Sequence, residues 1–226
     1  MLIAEDLLLL LTDDTSGKTV VDGQRLAYGL AGAVLVELVL SGRVQVTDGG
    51  SWGSGARVAV VSPYPLGDQL LDGALARVMG KRRPVAAQTL VDQLSRGLTD
   101  AVRWRLVQRG ILREEHGRVL GIFPTRAWPA ADSTHEAQVR AALWDVVVVG
   151  RTPTDREVSL VSLLHAVGQV HKQFGAAGLT ARQIRDRARA LSAGNVGGEA
   201  VRRAIQATET AVLAAVTASS VAIAGS

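Results

Sequence analysis

The stretch LIAEDLLLLLTDD, Leu2–Asp14, sets five consecutive leucines, Leu7–Leu11, directly behind Glu5 and Asp6. A secretion signal has a basic start, an apolar run of about 7–15 residues and a small-residue cleavage site. Here the start is acidic and the run stops at Thr12-Asp13-Asp14. A membrane-spanning helix needs about 20 apolar residues, so this run is too short to cross. What remains is a buried helical turn or a buried strand, and length alone does not choose between them. Either way, Leu7–Leu11 belongs inside the folded body.

The rest of the chain can supply such a core. Of 226 residues, 47% are hydrophobic and 20% are charged, which is not the composition of a disordered chain. One domain spanning residues 1–226 is the expected organisation at this length. There is no cysteine, which excludes a disulfide framework, a thiolate metal site and a cysteine nucleophile, and fits a reducing cytoplasm. Net charge is +4, and only Lys18, Lys81 and Lys172 are lysines. A GC-rich genome explains that bias, yet the planar arginine fork also suits phosphate.

The patterning is mainly helical. Leu2–Leu11 reads as a first helix and Thr12–Thr19 as a turn. In Asp22–Val44, Leu26, Leu30, Ala33, Val34, Glu37 and Leu38 follow a helical repeat, and Ser41-Gly42 supplies the stop. Gly29 and Gly32 lie inside that helix. Each costs about 1 kcal/mol against alanine, so close approach of another element is their expected reason. Arg43–Val61 reads as a hairpin with a glycine-rich loop, Leu66–Met79 as a helix ended by Gly80–Pro84, and Ala86–Gln108 as further helix. Gly110–Pro124 reads as a second hairpin turning near His116-Gly117. Helices are expected over Ala137–Val149, from Pro153-Thr154 through Phe174, over Leu179–Leu191, and over Val201–Ala224. The fold class is mainly α, a helical core wrapped by amphipathic helices, with short β-hairpins.

Enzymatic constellations are poor. His116, His135, His165 and His171 form no metal-spaced pair, so no metal and no cofactor are expected. The loop GGSWGSG, Gly49–Gly55, lacks the Lys-Ser/Thr of a phosphate-binding loop. Its Trp52 is a candidate for a membrane interface, where amphipathic rings concentrate. Basic residues form three groups: Lys81-Arg82-Arg83, the run Ser95–Arg113, and Thr180–Leu191. At 100° per residue, Arg96, Thr99 and Arg103 fall near one face. The bland reading of each group is a solvated helix face, and the sharper one is a surface for acidic lipid. Nucleic acid is not expected as a partner, because aromatics are only 4%, thin for base stacking.

Five segments then appear in a telling order: AEDLLLLLTDDTSGK, GLAGAVLVELVLSGRVQV, LLDGALARV, RLVQRGILREEHGRVLGIFP and SLLHAVGQVHKQF. The ordered set resembles the Golgi phosphoprotein 3 family, and specifically its bacterial members. The resemblance implies a mostly helical domain without catalytic activity. Eukaryotic relatives are peripheral membrane proteins that bind phosphatidylinositol 4-phosphate and act as adaptors retaining Golgi enzymes. Their lipid pocket uses a tryptophan and an arginine around the second helix, and two arginines three apart. Matched without gaps, those four slots fall on Asp22, Ala31, Arg96 and Thr99, so Arg96 alone keeps the family residue. Arg25 and Arg103 are the candidates to replace the missing cations.

The resulting expectation is a non-enzymatic peripheral membrane protein of the cytoplasm, binding anionic, phosphoinositide-like headgroups at the cytoplasmic membrane face. Arg96, Arg103 and Arg25 are the headgroup candidates, and Trp52, Arg82 and Arg83 the candidate membrane contacts. A protein client and a homo-oligomer, the latter through the Ile111–Phe123 hairpin, are further partners the resemblance implies. The alternative is a soluble protein-interaction module without lipid binding.

Overall fold

A computed structural model describes residues 1–48, 55–119, 123–175, 178–194 and 199–224. The leucine run is helix α1 (Ile3–Leu10), and all eight of its residues are buried. Its start is fixed from within: Glu5 reaches back to accept the Leu2 N–H at 2.7 Å. Helix α2 (Gly23–Leu40) begins where the Asp22 carboxylate accepts the Arg25 N–H at 2.8 Å and ends at Gly42, whose φ is +68°. Its 18 residues have a mean hydropathy of 1.3. Such a helix is long and apolar enough to cross a membrane, yet here it is the axis of the core. Helix α1 and five later helices pack on it.

Gly32 shows how closely they pack. A Cβ there would stand 2.8 Å from Val212, 2.9 Å from Thr208 and 3.0 Å from Leu163. The expected close approach is therefore real, and it comes from α7 (Asp155–Ala166) and α10 (Glu199–Ala224).

Around this axis the elements follow their local signals. Strands β1 (Val44–Asp48) and β2 (Ala56–Val60) pair antiparallel from Val44↔Val60 to Asp48↔Ala56. A two-residue strand β3 (Val85–Ala86) adds to β2. The tip of that hairpin, with Trp52, lies outside the described residues. Helix α3 (Gln69–Met79) starts at Asp68, whose carboxylate accepts two backbone N–H groups.

The segment Ala86–Gln108 is two helices rather than one. Helix α4 (Ala87–Ser95) stops, Gly97 turns left-handed at φ +72°, and α5 (Leu98–Gln108) starts again. The second hairpin pairs β4 (Glu115–Val119) with β5 (Phe123–Ala127) in the register Glu115↔Ala127 to Val119↔Phe123. His116 and Gly117 are thus strand residues, and the turn expected there does not fall on that pair. Helix α6 (Thr134–Trp144) runs on into a π-helical turn, Asp145–Val149. The carbonyls of Val147 and Val148 are taken by Arg187 at 2.9 Å each. A left-handed Gly168, φ +75°, divides the helix expected to reach Phe174 into α7 and the short α8 (Val170–Gln173). Helix α9 (Ala181–Ala193) turns Ile184, Ala188 and Ser192 inward.

The two acids of α1 are paired. The Glu5 carboxylate, 0% exposed, lies 3.0 Å from Arg105 and 3.1 Å from Arg109, both presented by the α5 end of the fold. Asp6, 2% exposed, lies 2.7 Å from Arg156 of α7 and 2.7 Å from His135 of α6. Arg105 also binds Asp68 through both Nη atoms, at 3.1 and 2.7 Å. Burial raises the Asp68 carboxyl, but hydrogen bonds from Arg105, Leu71 and Leu70 outweigh it and hold the group below the ordinary carboxylate range. Glu37 completes the cluster, accepting the Ile3 N–H at 2.6 Å with Arg156 at 3.5 Å.

Three substitutions test this packing. Gly32→Ala gains about 1 kcal/mol of helix propensity but overpacks stiff β-branched neighbours, a cost of about 1–3 kcal/mol; urea denaturation should show net destabilisation. Gly73→Ala on the exposed side of α3, with nothing within 4 Å of the new methyl, should be stabilising by up to about 1 kcal/mol. Glu5→Gln should cost roughly 3 kcal/mol, because it strips a buried charge pair of one member. A loss below about 1 kcal/mol would mean the arginines are held by other contacts.

Candidate functional site

The charge cluster under α1 decides which arginines remain for function. Arg105, Arg109 and Arg156 are committed to internal carboxylates, and Arg187 to the π-turn carbonyls. The basic run Ser95–Arg113 is therefore largely structural scaffolding. Arg96 and Arg113 are its most exposed arginines, and Arg96 is the one that lines a recess. This residue follows the last turn of α4, its side chain is 76% exposed, and its charge partner among the described residues is Asp92 at 3.0 Å. Such an exposed pair is worth little, typically under about 1 kcal/mol.

Arg96 lines an open recess of about 290 Å³ between α3 and the α4–α5 junction. Gln69, Leu70 and Gly73 form one wall, and Gly97, Leu98 and Ala101 the other. Arg77 from the last turn of α3 also enters it, with one guanidinium nitrogen donating to the Gln93 carbonyl at 2.6 Å. The left-handed Gly97 is what opens α5 into the recess. Being glycine, it offers no side-chain cap. The first backbone N–H groups of a helix have no acceptor within the helix, and they carry the positive end of its dipole. Two guanidinium groups and an uncapped helix start thus meet at one solvent-open place.

The other expected residues lie elsewhere. The side chain of Arg103 is only 16% exposed and stacks on Trp128, 3.8 Å from the ring centroid. Burial lowers its pKa from the ordinary arginine value, with Asp100 pulling the other way. The count of 100° per residue from Arg96 does not carry to Arg103, because Gly97 breaks the helix between them. Arg25 is half-buried at the start of α2, 3.4 Å from its own cap Asp22 and against the Gly168 turn. Neither Arg25 nor Arg103 lines the recess of Arg96. Arg82 and Arg83 are exposed and, with Lys81, border a separate groove of about 360 Å³ against β2 and Met79. Trp52 lies outside the described residues.

Two residues of this surface went unnoticed in the sequence. Arg77 was hidden in a helix read only for its apolar face. Trp104 is 62% exposed and stands one turn beyond Ala101, a recess residue, so the two share a face of α5. Its signal was available: Val102 and Leu106 are the buried positions of α5, and Trp104 falls between them on the outside. Trp104 thus presents an exposed indole on the face of α5 that it shares with Ala101.

Comparison with known proteins agrees with this architecture. The family model described as Golgi phosphoprotein 3 (GPP34) matches residues 3–208, from the first residue of α1 into α10. The chain is also similar to the vacuolar protein sorting-associated protein 74 of Eremothecium gossypii, at 27% identity over 163 residues. That alignment covers 65% of this chain and 49% of the relative, so the chain spans about half the length of the curated protein it matches. With the family match extending over nearly all the described helices, the chain belongs to the Golgi phosphoprotein 3 family.

Proposed function

We propose that this protein is a non-enzymatic peripheral membrane protein that binds phosphate-bearing lipid headgroups at the Arg96 recess and serves as an adaptor at the cytoplasmic membrane face. The observation that carries the reading is the meeting of Arg96, Arg77 and the uncapped start of α5 in one open recess. An anion there is favoured by backbone N–H groups as well as by charge. Trp104 is exposed on the face of α5 that it shares with the recess residue Ala101, and Lys81, Arg82 and Arg83 add cations just beyond the C-terminus of α3. The family resemblance points the same way, since Arg96 keeps one of the pocket arginines.

The headgroup need not be phosphatidylinositol 4-phosphate. Asp22 stands at the tryptophan slot and is occupied as the α2 cap. Ala31, at the second-helix arginine slot, is 0% exposed within the core. A long cation at that position would have to cross packed side chains. This chain therefore reads charge through Arg96 and Arg77 rather than through the family's full pocket. The same two departures favour the second reading, a soluble module that binds a protein client and no lipid.

Vesicle co-sedimentation separates the two. Binding should rise from neutral phosphatidylcholine to vesicles with anionic lipid, and fall with salt, because exposed charges are screened beyond about 10 Å at 0.1 M. Arg96→Ala should lower the bound fraction about fivefold, the equivalent of about 1 kcal/mol for one interfacial cation, and Trp104→Ala should lower it as well. Equal binding to neutral and anionic vesicles would remove the lipid reading and leave the protein-client module.

A further inference from the structure

A second cavity shares no lining residue with the Arg96 recess. It measures about 280 Å³ and is formed where α6, α7 and α8 meet the end of α1. Leu143, Trp144, Leu164 and Phe174 make its walls. Two polar residues, Arg140 and Gln173, belong to its lining.

Those two groups are held in place. Arg140 Nε donates to Glu136 Oε1 at 2.7 Å, and its Nη2 lies 2.5 Å from the same oxygen. Its Nη1 donates to Gln173 Oε1. Gln173 is anchored in turn, its amide nitrogen donating to the Leu10 carbonyl at 2.8 Å. Arginine has five N–H donors, so two remain for a further acceptor. The side chain is 42% exposed and open to a solute. Burial, aided by a hydrogen bond with Asp14, pushes the Glu136 carboxyl up to about 7 against the pull of Arg140. Near neutrality the guanidinium is therefore without its full counter-ion for part of the time.

An apolar cavity with a few convergent, fixed polar groups is the general form of a small-molecule site. The volume is roughly twice that of the ~150 Å³ cavity that holds benzene. We propose that this cavity binds a small amphipathic carboxylate, its medium-length alkyl or aryl body between Trp144, Leu164 and Phe174 and its carboxylate on Arg140. The arginine fork matches a carboxylate in geometry and charge, while Gln173 fixes its direction. A phosphate ester with a bulky polar body does not fit the apolar walls. The site is separate from the Arg96 recess, so it stands or falls independently of lipid binding.

Octanoate is the probe, with octanol as its neutral counterpart. Titration of the full chain, followed by NMR of the Leu164 methyls and the Trp144 indole N–H, should show saturable shifts with octanoate. Octanol should bind at least tenfold more weakly. Ala141→Phe places a ring at the exposed mouth of the cavity and should abolish those shifts without changing the melting temperature. Arg140→Gln should erase the preference for octanoate over octanol; Arg140→Lys, which keeps the charge beside Glu136, should retain part of it and guards against misfolding of the neutral variant. No saturable shift up to the solubility limit overturns the proposal. Equal binding in Ala141→Phe, or equal binding of the alcohol, overturns it too.

Discussion

Glu5 and Asp6 sit in a helix from which water is excluded, and that single fact organises the molecule. A lone carboxylate in such a place is costly unless it is paired and hydrogen-bonded. The partners arrive from far along the chain: Arg105 and Arg109 at one end of α5, His135 in α6, Arg156 in α7. Apolar burial alone would let these helices settle on α1 in several rotations. Four charged or polar tips converging on two carboxylates admit far fewer. The leucines supply most of the driving force, and the two acids select the arrangement in which it is realised.

The long periodic segments were legible because their information is local. Helix α2, the α9 face and the β1–β2 hairpin follow from apolar spacing and turn residues. Glycine is where local reading fails. Gly29 and Gly32 sit inside a continuous helix, whereas Gly97 and Gly168 break one. All four lie in apolar, helix-patterned sequence. What separates them is tertiary: Val212, Thr208 and Leu163 press on Gly32, while open space surrounds a Cβ at Gly97. The second hairpin was legible but its turn was not, for a related reason: the His116-Gly117 pair has turn composition, yet its pairing with Thr125 and Arg126 is set by the partner strand.

The candidate site was legible at one residue. Arg96 was found because a family resemblance pointed to it. Arg103 was carried along by a helical count that the Gly97 break invalidates, and its stack on Trp128 spans 25 positions that no periodicity links. Arg77 and Trp104 were missed because each becomes part of a site only when α3 and α5 are set side by side. Acidic partners were equally invisible, so arginine content overstated the cationic surface.

The distinction between kinds of arginine carries the functional argument. An arginine that is to accept a phosphate must first release whatever it holds. Arg105 holds Glu5 and Asp68 with its side chain 16% exposed. Breaking a buried pair of that kind costs about 3–5 kcal/mol, more than a single headgroup contact returns. Arg96 holds only Asp92, in water, with its side chain 76% exposed. Exchanging that pair for a phosphate costs under about 1 kcal/mol, and the N–H groups at the start of α5 add attraction that Asp92 does not use. The same accounting separates Arg103, whose stacking and burial would both be lost. Exposure and weak pairing, rather than position in a basic run, leave Arg96 free to change partners, and of the exposed arginines Arg96 and Arg77 line one recess together.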